Sequence, residues 1–133
     1  MDILREFKGD GYHAVLEDLP DQEFLRLTIH GKYHAGSNQE LIQTTKQEAD
    51  ARGYRKCLVD YRDAEVSMSV LEIVRRPKEF AEVGMERSFQ SALVFDPAKV
   101  DIDLRFLENY FYNRSWYLRC FDDIEEALAW LRD

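Results

Sequence analysis

The sequence predicts a single α/β domain over residues 1–133. It should hold a mixed, mostly parallel five-stranded sheet with an N-terminal β-hairpin and about four helices, in the order ββαβαβαβα. Three observations carry this. The short apolar run Cys57-Leu58-Val59 suits the centre of a parallel sheet, where both faces are covered. Helix-start signals of the form S-x-x-E or an N-cap Asp stand between the expected strands. Strands and helices alternate with short connections, which implies parallel strands joined by right-handed crossovers.

The elements follow in order. A polar Gly9-Asp10-Gly11 turn precedes a first strand at residues 12–17. Leu19-Pro20-Asp21-Gln22 is a turn, because proline presets one dihedral and aspartate bonds its own backbone. Residues 24–29 alternate, with Leu25, Leu27 and Ile29 on one face, and complete the hairpin. Ser37-Asn38-Gln39-Glu40 is a capping box that opens a helix with a thin stripe of Leu41, Ile42, Thr45 and Ala49. Gly53 closes it. The central strand is expected over residues 56–60, with a polar loop to Met68. Ser69-Val70-Leu71-Glu72 is a second capping box, and its helix should stop or kink at Pro77, with residues 78–83 as a second short piece.

A fourth strand at residues 91–95 ends at Asp96-Pro97. Asp101 can cap a helix that carries Leu104, Leu107, Tyr110 and Phe111 and stops at Asn113. Residues 116–121 form the fifth strand. Asp123 caps the last helix, where Ile124, Ala127, Leu128 and Leu131 repeat at i, i+3, i+4 and i+7.

Composition excludes several functions. The net charge is −8 with a pI near 4.9. Nucleic acid and anionic lipid both need clustered Lys and Arg, so neither is an expected partner. Cys57 and Cys120 both fall in expected strands and read as small core residues. No apolar run approaches the length of a membrane span. The opening MDILREFKGDGYH lacks the basic-then-apolar pattern of a leader, so a cytoplasmic protein is expected.

The last third of the chain, SALVFDPAKVDIDLRFLENYFYNRSWYLRCFDDIEEALAWL, resembles the SpoIIAA-like family of STAS-type domains. Members end in a strand, a Phe-Asp or Phe-Glu turn and a helix of the form EALAWL. The resemblance covers most of residues 24–131 and implies a STAS-like sheet without enzymatic activity. In the anti-sigma-factor antagonists of that superfamily a serine at the start of the helix after the central strand is phosphorylated, and loop and helix bind the partner. By position, Ser69 is the match and Ser67 the second candidate. Those proteins carry Asp-Ser-Ser/Ala-Gly where this chain has Ser67-Met68-Ser69-Val70. Some relatives resemble CRAL-TRIO lipid-binding domains in fold.

The residues themselves leave alternatives. Ser69 is a helix cap, a phosphoacceptor, or both. Asp60, Asp63 and Glu65 read as solvated acids on a loop, with Asp60 tying it to backbone amides. His30 and His34 have H-x3-H spacing, but on a strand end broken by Gly31, and His13 approaches His30 only across the hairpin; no metal is expected. Arg75-Arg76 serves either an anionic ligand or the dipole of its own helix. In the run Tyr110, Phe111, Tyr112, Trp116 and Tyr117, Phe111 and Leu107 belong to the core. Tyr112 with Trp116 or Tyr117 forms a candidate homodimer patch.

The leading function is a non-enzymatic regulatory or protein-interaction module. It would use the loop 63–68 with Met68 and the helix from Ser69, and bind an unidentified protein partner without a cofactor. The alternative is an apolar small molecule or lipid in a cleft beside Pro77. A small enzyme built on the loop acids ranks last.

Overall fold

The computed structural model describes residues 2–34 and 39–133. Strands β1 (Asp2–Lys8), β2 (Tyr12–Leu19) and β3 (Phe24–His34) lead into helix α1 (Gln39–Arg52). Strand β4 (Lys56–Ser67), helix α2 (Val70–Glu82) and strand β5 (Gln90–Val94) follow. A short 3-10 turn, strand β6 (Val100–Asp101), helix α3 (Leu104–Tyr112), strand β7 (Leu118–Phe121) and helix α4 (Ile124–Arg132) complete the chain. Among the described residues the sheet has seven strands in the order β1-β2-β3-β4-β5-β7, with β6 paired to β4. The first three run antiparallel, and every pairing from β3 onward is parallel.

The mixed, mostly parallel α/β class with four helices is therefore as the sequence predicts, but two strands are added. β1 is a polar edge strand on which Phe7 is the one buried side chain, and β6 is two residues long. Neither shows an apolar run. The larger correction concerns β4, which has 12 residues and absorbs the expected loop. Thr28 pairs with Asp60 and His30 pairs with Asp63, so β4 carries one extra residue in a bulge. Cys57 and Leu58 are buried before the bulge, and Ala64 and Val66 alternate with exposed Asp63 and Glu65 after it.

The sheet buries both faces. On one side Leu41 of α1, Ile73 of α2 and Leu107 and Phe111 of α3 pack on Leu27, Ile29, Leu93 and their neighbours. On the other, Ala127 and Leu131 of α4 meet Phe24, Leu58, Ala92 and Val94. Leu128 is only partly buried. Helix α2 runs on through Pro77 to Glu82 instead of breaking into two pieces. Its far half is held by Phe80, whose ring meets Phe111 at 5.4 Å and Trp116 at 5.5 Å. Asp103, not Asp101, caps α3, its Oδ1 accepting from Phe106 N–H at 3.0 Å. Asp101 lies in β6. Asp123 caps α4 as expected. The Ser37-Asn38 half of the first capping box lies outside the described residues. Among those residues no helix is long and apolar enough to cross a membrane.

Candidate interaction site at the carboxyl edge of the sheet

Open α/β sheets place their sites outside the carboxyl ends of parallel strands, where helices begin. Here β3 ends at His34 and β4 at Ser67, side by side in register. Asp101 of β6 pairs with Ser67 from the other side. Two residues later Ser69 caps α2. Its Oγ accepts from Glu72 N–H at 3.2 Å, and Glu72 Oε1 accepts from Ser69 N–H at 2.8 Å, a complete capping box.

The other oxygen of Glu72 reaches beyond the cap. Glu72 Oε2 lies 3.1 Å from His34 Nε2, and His34 Nδ1 lies 3.0 Å from Ser67 Oγ. Burial would raise the Glu72 carboxyl, but the Ser69 hydrogen bonds outweigh it, helped by the charges of His34 and Arg76, and hold the group below its usual range. An ionised Glu72 only accepts, so Nε2 carries the proton toward it. In neutral His34 the bare Nδ1 then accepts from the Ser67 hydroxyl. A polar chain Ser67–His34–Glu72–Ser69 thus ties two strand ends to the first turn of α2. It lines a surface hollow of about 520 Å³ with Met68, Val100, Asp101 and Asp103.

Beside this chain α2 presents apolar side chains to solvent. Val70 is 62% and Leu71 56% exposed, and Val74 follows one turn on. Exposed acids Glu65, Asp101 and Asp103 surround the edge, and Arg75 is exposed farther along the helix.

The other sequence candidates separate. Asp63 and Glu65 are exposed, but on a strand, and Asp63 Oδ2 sits 3.6 Å from His30 Nδ1. Asp60 is buried in the middle of β4. It accepts from Arg26 at 2.9 Å, from Arg62 side-chain nitrogens at 2.9 and 2.8 Å, and from Arg62 backbone N–H at 3.1 Å. Burial would raise its carboxyl, yet these bonds hold it below the ordinary range. Asp60 is thus a structural group, tied mainly to guanidinium groups and not to loop amides alone. Arg76 is buried in the core, so it offers no charge to the surface beside Arg75.

His13 and His30 stack at 4.8 Å across the hairpin. No group of three or more metal-ligating side chains occurs among the described residues. Burial pushes the Cys57 thiol up to about 11 and the Cys120 thiol up to about 12, which keeps both unreactive at neutral pH. In the aromatic run Trp116 leaves the patch. Ser115 turns the chain at φ 65°, and Trp116 folds in under α2 against Phe80. Tyr112 stays 76% exposed on α3, and Tyr117 rests half-exposed on Trp130 at 5.1 Å.

From the sequence His34 was weighed only as a metal ligand, and the apolar stripe was missed. Val70 and Leu71 follow an N-cap directly, and hydrophobic residues in a first helical turn were the signal that could have marked the stripe.

No family model matches the chain, and no curated protein matches it. Solved structures do. An anti-sigma factor antagonist from Mycobacterium paratuberculosis aligns over 92% of this chain and 95% of its own, with 13% identity and a TM-score of 0.56. An uncharacterized protein from the DUF3478 family with a SpoIIAA-like fold, from Shewanella loihica, aligns over 94% of this chain and 98% of its own, with 19% identity and a TM-score of 0.51. The strand order, the helix that caps on Ser69 and these two alignments together place the chain in the STAS/SpoIIAA-like fold.

Proposed function

We propose that this chain is a non-enzymatic regulatory domain that docks a protein partner on the first turns of α2 and the adjoining carboxyl edge of the sheet. One observation carries the reading. Val70, Leu71 and Val74 stand exposed as one apolar stripe beside the polar chain Ser67–His34–Glu72–Ser69, with an acidic rim of Asp101 and Asp103 on the hollow that Val70 also lines. A large apolar stripe left in water disfavours the isolated protein, and covering it with a partner removes that cost. The acidic rim selects a partner that surrounds an apolar patch with Lys or Arg. The fold shared with an anti-sigma factor antagonist supports a regulatory role.

Ser69 is the candidate phosphoacceptor, with Ser67 second. Ser69 is exposed, whereas Ser67 is half-buried under its bond to His34. A phosphate on Ser69 would sit on a helix N-terminus yet close to Glu72 and the hollow shared with Asp103, adding negative charge to the docking edge. The test compares wild type, Leu71→Asp and Ser69→Glu in affinity purification from the native host. Each variant is first checked for an unchanged melt. The reading expects one specific partner with wild type and its loss with Leu71→Asp. It also expects weaker recovery with Ser69→Glu. Equal recovery of that partner by wild type and Leu71→Asp would refute the surface, and equal recovery with Ser69→Glu would leave Ser69 as a cap alone.

A further inference from the structure

Ser67, His34 and Glu72 stand in the order nucleophile, base and orienting carboxylate. Ser67 Oγ lies 3.0 Å from His34 Nδ1, and His34 Nε2 lies 3.1 Å from Glu72 Oε2. Both contacts fall within the roughly 2.6–3.2 Å over which a positioned base takes a proton. The ionised Glu72 holds the imidazole proton on Nε2, which leaves the Nδ1 lone pair toward the serine hydroxyl. Serine proteases turn the ring the other way round, with Nε2 toward the serine, but such a trio is recognised by geometry and roles. Three elements supply it here: His34 ends β3, Ser67 ends β4 and Glu72 lies in the first turn of α2.

The surroundings suit an acyl group. Ser67 and His34 line the hollow of about 520 Å³ at the start of α2, and both also line a neighbouring hollow beside Lys32 and Lys99. The His34 side chain is 68% exposed, so a reagent can reach the pair. Met68, Val100 and Ile102 give the first hollow an apolar wall, and Asp101 and Asp103 on its rim disfavour an anionic donor. Val70, the first residue of α2, lines it too. The capping box uses the N–H groups of Ser69 and Glu72, so those of Val70 and Leu71 keep no intrahelical acceptor and can serve a developing oxyanion.

We infer that Ser67 is a nucleophilic serine that takes a short apolar acyl group from an uncharged, activated ester or thioester. Its Oγ attacks the carbonyl carbon as the hydroxyl proton passes to His34 Nδ1. The bond to the leaving alkoxide or thiolate then breaks, and that group takes the proton from His34. The products are an acyl ester on Ser67 and a free alcohol or thiol. Glu72 is a positioning residue. The step is one modification of the chain and not a turnover, so it stands apart from the docking surface: either can fail without the other. The same two bonds also brace the strand ends, and reactivity separates the roles. A brace alone leaves Ser67 no more reactive than Ser69, which is exposed and whose Oγ bonds a backbone N–H instead.

Reaction with p-nitrophenyl acetate tests it, each acetyl being located by peptide mass mapping. Wild type, Ser67→Ala, His34→Gln and Glu72→Gln are compared after each is checked for an unchanged melt; glutamine at position 72 still completes a capping box. Wild type should acetylate Ser67 about a hundredfold faster than Ser69, the lower end of what a positioned general base contributes. His34→Gln should remove that advantage and Glu72→Gln should reduce it severalfold, while Ser67→Ala should leave only slow acetylation elsewhere. If His34→Gln does not fold, Glu72→Gln carries the test. Ser67 acetylated no faster than Ser69 in folded wild type would overturn the inference. So would a Ser67 rate that no folded variant at His34 or Glu72 alters.

Discussion

Asp60→Asn should destabilise the fold by about 2–3 kcal/mol, and the structure supplies the magnitude. The Asp60 side chain is 5% exposed and takes three side-chain hydrogen bonds at 2.8–2.9 Å from Arg26 and Arg62. Breaking a fully buried ion pair costs about 3–5 kcal/mol. An exposed pair is worth only about 0–1 kcal/mol. Arg26 is 30% and Arg62 40% exposed, so both guanidiniums regain some water when the carboxylate goes, and the cost falls between these limits. Asparagine keeps the volume but offers one acceptor and turns two N–H donors toward donors. Urea unfolding at neutral pH measures the difference. For a domain of this size it corresponds to a Tm lowered by roughly 8–12 °C. The Asp60 carboxyl is held below its ordinary range, so its contribution is complete above the unfolded value near about 4 and is lost as pH falls through the folded value. The gap between wild type and Asp60→Asn should therefore narrow in acid. A loss under about 0.5 kcal/mol at pH 7, the level of an ordinary surface substitution, or a gap that persists undiminished in strong acid, would refute the structural role given to Asp60.

Two further predictions concern packing and assembly. Leu131 is fully buried where α4 meets the sheet, so Leu131→Ala should cost about 2–5 kcal/mol in a denaturant melt, and the half-exposed Leu128→Ala distinctly less. Tyr112 stands exposed on α3 with Tyr117 as the remaining partner of the aromatic patch; a two-fold dimer through Tyr112 predicts that Tyr112→Asp converts it to monomer in light scattering, and a monomeric wild type would rule it out.

The class of fold was legible because α2 and α4 carry their own start signals and apolar runs stand between the helices. Ser69, Asp123 and the Ala127–Leu131 stripe do in the structure what they promise in the sequence. β4 was cut short because its pattern changes phase. Cys57, Val59 and Tyr61 share the face of the main core before the bulge, and Ala64 and Val66 share it after, so odd positions give way to even ones. A period of two cannot be read through that shift. β1 was illegible for another reason: as an edge strand with one buried side chain it alternates nothing apolar.

The site was half legible. Ser67, Met68 and Ser69 were placed at the working edge, but His34 reaches them from a strand whose pairing with β4 runs through the unseen extension. Asp60 and Arg76 were misjudged because charge suggests exposure, whereas here partners allow burial. Of Trp116 and Tyr117, between which the sequence did not choose, Trp116 is the one turned inward after left-handed Ser115.

The docking surface itself can be probed by installing a photo-crosslinking amino acid in place of Leu71 in the native host, with Ile3 as the control. Both positions are exposed and apolar, but Ile3 lies on edge strand β1, away from the carboxyl edge. If the first turns of α2 are the working surface, illumination should join the Leu71 variant to one discrete protein and leave the Ile3 variant without it. The same products from both positions, or none from Leu71, would contradict the account.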